Sequence, residues 1–232
     1  LAEITRLSDG LPNIDAVCIS VKNVAESNRF GEIDEFVCMM ENTIKPLEYL
    51  CESPVSLAAV IEIATALRGG AQALKDKPYF LHVVTPLPVH FGQIHIDQIL
   101  AAVRAGIPVG VGTLAIGGAS SPITLAGCLT HCLMTDFAAI VLGQLAGEGS
   151  FCMGGSDVFF MEPATGAIGN FTQTAMADMA AAQVRGSLGF PSLTAAGGGS
   201  VARRFNQDAV WEISASTMNM FYHRPATCDY LG

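Results

Sequence analysis

Short apolar runs recur along this chain at a spacing of one strand plus one helix, and that spacing restricts its fold more than any other feature. Seven runs stand between turn residues, beginning near Ile14 (IDAVCISV), Pro46 (PLEYLCE), Tyr79 (YFLHVVT), Pro108 (PVGVGTLA), Ser150 (SFCMGG), Pro191 (PSLTAA) and Ala226 (ATCDYLG). Runs so continuously apolar suit strands buried on both faces, as in parallel sheets. Between consecutive runs lies one stretch of 3.6-residue periodicity, over 31–40, 56–73, 94–105, 123–145, 171–188 and 204–223. The starts are 32, 33, 29, 42, 41 and 35 residues apart, room for a strand, a helix and two loops. No antiparallel hairpin signal interrupts the series, which favours a (β/α)8 barrel over an open doubly wound sheet.

The junctions agree with this order. Ser53-Pro54 and Ser121-Pro122 read as N-caps followed by proline in the first helical turn, while Gly69-Gly70, Gly106, Gly147 and Gly189 stand where helices should stop. Prolines 46, 78, 108, 191 and 225 open or precede the next strand, where a missing N–H is tolerated. Leu1–Leu11 reads as the end of a preceding helix and Gly232 falls just after a strand. The expectation is therefore strands two to eight of a truncated barrel, a single domain over residues 1–232, with about one strand and two helices of the eightfold barrel outside it.

Half of the 232 residues are apolar and 14% are charged, so a large core is expected. Twelve basic against 21 acidic residues give a net charge of −9, and no basic cluster exceeds Arg203-Arg204. The electrostatic footprint of a nucleic-acid or anionic-membrane binder is missing. Seven cysteines (18, 38, 51, 128, 132, 152 and 228) are an odd set scattered through apolar runs, which reads as free thiols in a reducing compartment and favours the cytoplasm. Leu1-Ala2-Glu3 lacks the basic start and apolar run of an export signal. Residues 105–135 carry no Asp, Glu, Lys or Arg, yet Pro108, Gly110, Gly112, Gly117, Gly118 and Pro122 divide them into pieces too short to span a bilayer, so a soluble protein is expected.

In a parallel barrel the ligand site collects at the carboxyl ends of the strands. The loops there contain Lys22, Glu52, His90 and Phe91, Gly117 to Ser121, Gly154 to Asp157, Ala195 to Ser200, and Asp229-Tyr230. His90 and His95 are five residues apart, share no helical face and have no third ligand nearby. Cys128, His131 and Cys132 share a face, but Leu125, Leu129, Leu133 and Phe137 around them make packed thiols the better reading, and no metal site is expected. Lys22 ends a strand, as a Schiff-base lysine would. The Gly197-Gly198-Gly199-Ser200 loop could cradle phosphate, although it lacks the Walker lysine and the dinucleotide spacing. Glu52, Asp157, Glu162 and Asp229 are mixed with Phe91, Phe151, Phe159, Phe160 and Tyr230. That combination suits a methylated cation held by π faces and balancing charge; ordinary loop polarity over an aromatic core explains it equally.

One block is distinctive: Ile107 to Gly127, reading IPVGVGTLAIGGASSPITLAG. Together with Leu11–Asp15 (LPNID), Asn42–Pro46 (NTIKP), residues 139–145, Gly154-Gly155-Ser156 and Glu162–Gly166 (EPATG), it resembles the trimethylamine methyltransferase (MttB) superfamily in the expected order over nearly the whole chain. The resemblance implies a TIM barrel with more chain at both ends. It also implies corrinoid-dependent transfer of a methyl group from a small methylated amine to the Co(I) cobamide of a separate corrinoid protein, with no tightly bound cofactor in this chain. Members acting on trimethylamine place pyrrolysine in the loop that here reads Ala195 to Arg203, at or beside Gly199, and their following S-D-x-K is replaced by Ser200-Val201-Ala202-Arg203. A non-pyrrolysine relative acting on a quaternary amine such as glycine betaine is therefore expected.

On that reading Glu52, Asp157 and Asp229 are the catalytic carboxylates that balance the cation, and Phe91 and Tyr230 form its cage. His90 or Arg203 would bind a substrate carboxylate, and Gly117, Gly118, Gly198 and Gly199 would let the corrinoid approach. Self-association into a homo-oligomer is compatible with the sequence. Two alternatives stay open: a barrel lyase using Lys22 or a metal at His90, and an inactive family member serving as a binding scaffold.

Overall fold

Parallel pairing begins where the sequence places its first three apolar runs. In the computed structural model, which describes residues 1–18, 31–155, 157–168, 171–194, 202, 204 and 206–228, these become β1 (Val17–Cys18), β2 (Leu47–Tyr49) and β3 (Phe80–Val84). Val17 pairs with Leu47, Leu47 with Phe80 and Tyr49 with His82, all in parallel register. Around them lie α1 (Ala2–Gly10), α2 (Gly31–Asn42), α3 (Pro54–Arg68), α4 (Ala71–Asp76) and α5 (Gln93–Ala105). Together with residues 142–151 these elements form one of two compact units, covering 1–84, 93–109 and 142–151.

Helix α3 starts as expected: the Ser53 hydroxyl accepts the Val55 N–H at 3.2 Å, with Pro54 in the first turn. The single helix expected over 56–73 is instead two. Gly69 and Gly70 hold φ values of +84° and +139°, outside the helical region, so α3 stops and α4 starts in a new direction. The core of this unit is aromatic. Phe36 on α2 meets Tyr49 edge-on at 5.0 Å and Phe80 at 5.4 Å between ring centroids, and the Tyr49 hydroxyl donates to the Glu32 backbone carbonyl. His82 follows on the same strand face as Phe80 and is fully buried. Burial pushes its pKa down to about 4, against a smaller opposing effect of the Tyr49 backbone.

The second unit comprises residues 85–92, 110–141 and 152–232. Its elements include β5 (Leu114–Gly117), most of α6 (Leu125–Ala146), β6 (Cys152–Gly154), β7 (Asp157–Phe160), α7 (Phe171–Ser187), β8 (Leu193–Thr194), α8 (Gln207–His223) and β9 (Thr227–Cys228). Within the first unit β1, β2 and β3 are sheet neighbours in that order, and β4 (Val109–Val111) falls at the boundary between the two units. The Gly155 N–H donates to the Val111 carbonyl at 2.6 Å, Gly154 bridges Ser192 in parallel, and the Ala226 N–H reaches the Ser192 carbonyl at 2.9 Å. β8 and β9 pair in parallel. The chain is thus an α/β protein in which the strands of each unit pair in parallel.

Two strands in this unit lie where loops were expected. The run from Pro108 divides at Gly112-Thr113, and its second half, β5, pairs in parallel with β7, residue for residue from Leu114–Asp157 to Gly117–Phe160. The reason is a second apolar layer: Ala115, Val158 and Phe160 are buried against Cys128 and Cys132 of α6 and Ala177 of α7. Helix α6 begins at Leu125, with Thr124 rather than Ser121 as its cap; the Thr124 hydroxyl accepts the Gly127 N–H at 3.2 Å. Ser121 is instead part of a tight turn, its N–H bound to the Ile116 carbonyl and its carbonyl to the Gly118 N–H. Helix α6 is long and apolar enough to cross a membrane by length and composition, yet it carries Asp136, fully buried and ion-paired to Arg185 of α7.

His82 gives the fold a testable acid sensitivity. It stays neutral in the folded chain down to about pH 4 but protonates in the unfolded chain near its ordinary pKa of about 6.5. Below pH 6.5 the unfolded state therefore binds more protons, and stability falls as pH drops towards 4. Between pH 7 and pH 5 the loss from this group should be on the order of 2 kcal/mol. Urea unfolding at both values should show this step in the wild type and not in His82→Leu.

Candidate functional site

Three carboxylates and one guanidinium gather in the second unit at the carboxyl end of β6. Asp157 opens β7; it is half-buried, and its N–H donates to the Thr113 carbonyl at 2.9 Å. Asp178 projects from α7, is 6% exposed, and accepts the Val158 N–H. Its Oδ1 has no hydrogen-bond partner. Burial holds its pKa well above the usual carboxylate range, and the neighbouring Asp157 charge pushes the same way; the Val158 N–H and Arg185 oppose them.

Arg185 lies seven residues after Asp178, two turns along the same face of α7, and is 1% exposed. Its Nε and Nη2 donate to Asp136 Oδ2 at 2.9 and 2.5 Å. This pair packs against the end of β6 so closely that a Cβ on Gly154 would lie 2.9 Å from Arg185 Nε and 2.9 Å from the Asp136 Cβ and Cγ. Glycine is needed there because the buried pair occupies the side-chain space.

The other residues named from the sequence fall in different settings. The loop carrying His90 and Phe91 is held by α6, with the Val89 N–H donating to the Thr135 hydroxyl at 2.7 Å. Val89 sits at φ +56°, a costly conformation for a β-branched residue, and the His90 N–H closes a tight turn onto the Leu87 carbonyl at 3.1 Å. His90 is exposed and Phe91 half-buried. Gly117 faces an occupied space: a Cβ there would lie 2.6 Å from Phe160 Cδ1. Gly118, at φ +90°, serves the tight turn to Ser121. Phe160 belongs to the core beneath β5 and β7, and Phe151, exposed, ends the last segment of the first unit. The exposed Glu162 carboxylate accepts the Ala164 N–H at 3.2 Å.

Glu52 belongs to the first unit, where it is exposed and its N–H donates to Glu32 Oε1 at 2.7 Å. Lys22, Gly198, Gly199, Arg203, Asp229 and Tyr230 lie outside the described residues. Cys128 and Cys132 are fully buried in the layer beneath β5 and β7. Asp136, Asp178 and Arg185 did not stand out as loop residues because all three lie on helices. One signal was present: Asp136 is the sole charged residue in the 22 residues of α6, and Asp178 and Arg185 are the charges of α7. A lone charge in an apolar helix calls for a buried counter-charge elsewhere.

Parallel strands joined through helices, with titratable groups where loops leave the strands, define an α/β protein with the usual layout for a ligand site. The profile of the trimethylamine methyltransferase (MTTB) family matches residues 1–227, and the chain belongs to that family. It is 30% identical over 163 residues to trimethylamine methyltransferase MttB of Desulfitobacterium hafniense, covering 70% of this chain and 33% of that protein. It is 28% identical over 201 residues to trimethylamine methyltransferase MttB of Methanosarcina thermophila, covering 84% of this chain and 41% of that protein. A glycine betaine methyltransferase of Desulfitobacterium hafniense is 28% identical over 139 residues, covering 59% of this chain and 29% of that protein. The chain thus spans well under half the length of the curated relatives it matches.

Removing one member of the buried ion pair leaves the other charge uncompensated, which costs about 3–5 kcal/mol. Asp136→Ala and Arg185→Ala should each lower the urea-unfolding free energy by that much. The double variant Asp136→Leu/Arg185→Met should lose less than the sum of the two single losses.

Proposed function

We propose that this protein takes part in methyl transfer from a methylated amine, of quaternary type such as glycine betaine, to the Co(I) corrinoid of a partner protein. Membership of the family and the likeness to both named trimethylamine and glycine betaine methyltransferases support the reaction class. The observation that carries the site is Asp157, a half-buried carboxylate at the carboxyl end of β6, backed by the buried Asp178. Negative charge in a partly dry setting favours a fixed cation that water would otherwise solvate. The chemistry asks little else of the chain. The methyl carbon bonds to the acceptor as its C–N bond breaks, and that electron pair leaves on a neutral amine, so no protein nucleophile is needed. The residues must hold N–CH3 in line with the acceptor and keep water out.

The remaining roles follow the same reading. Asp157 and Asp229 balance the cation; Phe91 and Tyr230 supply π faces; His90 or Arg203 binds the carboxylate of glycine betaine. The Gly118 turn, with Gly198 and Gly199, offers a side-chain-poor surface to the corrinoid. The chain-ordered parallel strands support one (β/α)8 barrel domain, and the odd set of scattered cysteines supports a cytoplasmic protein.

The test is methyl transfer by the intact protein to a reconstituted Co(I) corrinoid protein, followed by the cobalt absorption change, with glycine betaine, trimethylamine and carnitine as donors. A quaternary donor should be active. Asp157→Asn should lower kcat/KM by about tenfold or more, the cost of one lost charge contact of ~1.4 kcal/mol or greater. Absence of transfer and of binding with every methylated amine contradicts the reading.

A further inference from the structure

Val89 stands in a backbone conformation that its own side chain resists. Its φ is +56°, in the left-handed region, where a β-branched Cβ crowds the following carbonyl. Among the described residues, Arg224 is the one other non-glycine with a positive φ. The turn around Val89 is poor in backbone donors, because Pro86 and Pro88 carry no N–H. Proline also fixes φ at both positions, and Leu87, which precedes a proline, is confined to extended conformations. Two N–H groups then hold the turn. That of His90 closes it onto the Leu87 carbonyl at 3.1 Å, and that of Val89 donates out of it to the Thr135 hydroxyl at 2.7 Å.

Thr135 is the fixed end of that contact. It lies on α6 in the same unit as the loop, is 1% exposed, and its hydroxyl donates to the His131 carbonyl at 2.8 Å, one helical turn back. The hydroxyl proton is therefore committed to the helix, and the oxygen accepts from Val89. Val89 and His90 are both exposed, so the turn that presents them to solvent is held from inside the protein. Strain of this kind persists where the surroundings impose it. Without the Thr135 oxygen, nothing in these contacts opposes relaxation of Val89 to a negative φ, and that rotation would re-aim the residue that follows it.

We propose that Thr135 is a positioning residue of the amine site: its hydroxyl holds Val89 in the left-handed conformation, and that turn sets where His90 meets the carboxylate of the methyl donor. The inference rests on the methyl-transfer reading, and within it on the choice of His90 as the group that takes the carboxylate. Thr135 itself touches no reacting atom. It acts through the turn, so an amine that carries no carboxylate should sense its loss less.

Titration calorimetry of the intact protein with glycine betaine and with tetramethylammonium reads the two halves of the donor separately. Thr135→Val keeps the side-chain shape and should weaken glycine betaine about tenfold, as loss of a hydrogen bond to a charged group does, and tetramethylammonium by less than about threefold. Thr135→Ser keeps the hydroxyl and should bind both as the wild type does. Val89→Pro removes the same hydrogen bond from the loop side and forbids a positive φ, so it should reproduce the selective loss without disturbing the packing of α6. His90→Ala should show that loss too, and adding Thr135→Val to it should change little more, as for two residues that act through one contact. Thermal unfolding checks the fold of each variant, and if Thr135→Val does not fold, Val89→Pro and His90→Ala decide the matter. Equal weakening of both ligands, a loss that Thr135→Ser does not restore, or additive losses in the double variant overturns the proposal and leaves the methyl-transfer reading standing. If neither amine binds the wild type, that reading and the proposal fall together.

Discussion

Arg185 is the point on which the second unit turns. It is the largest fully buried side chain among the described residues, and a guanidinium so placed must be paired or pay a heavy desolvation cost. Asp136 meets that need from α6, which fixes the spacing and rotation of α6 against α7. The pair fills the space beside Gly154, so the end of β6 must be glycine. With α7 held in this way, Asp178 two turns earlier reaches the backbone of β7 and stands behind Asp157. The candidate site is thus built outward from a structural ion pair.

The carboxylates beside that pair connect the fold to the proposed function. A methyl group bound to a positively charged nitrogen already carries a good leaving group, so the task of such a site is to hold a cation and exclude water. A half-buried carboxylate, Asp157, with the buried Asp178 behind it suits the proposed cation. The loop of Val89 to Phe91, strained at Val89 and anchored by Thr135, adds a rigid edge on the same unit. Family membership supports the proposed reaction class, and the half-buried Asp157 supports the proposed cationic substrate.

The alternation of strands and helices was legible because it depends on local chemistry. Apolar runs, the Ser53 cap and the αL glycine at position 69 act within a few residues of themselves. The block from Ile107 to Gly127 was specific enough to point to the family that the profile match establishes. What could not be read was tertiary. Strands β5 and β7 are four residues each and exist because they pair with one another over α6 and α7, which no local window records. Gly117 read as an open loop position, whereas the ring of Phe160, 43 residues later, takes up its side-chain space. Asp157 was singled out by its position after β6; Asp178 was not, because its importance lies in which strand α7 crosses.

The most direct test of this account is the structure of the intact protein with glycine betaine or tetramethylammonium bound. The account expects the quaternary nitrogen within about 4–6 Å of the Asp157 carboxylate, the range over which an opposite charge acts strongly, with Asp178 behind it and out of contact with the methyl groups. A cation seated away from Asp157 would contradict it.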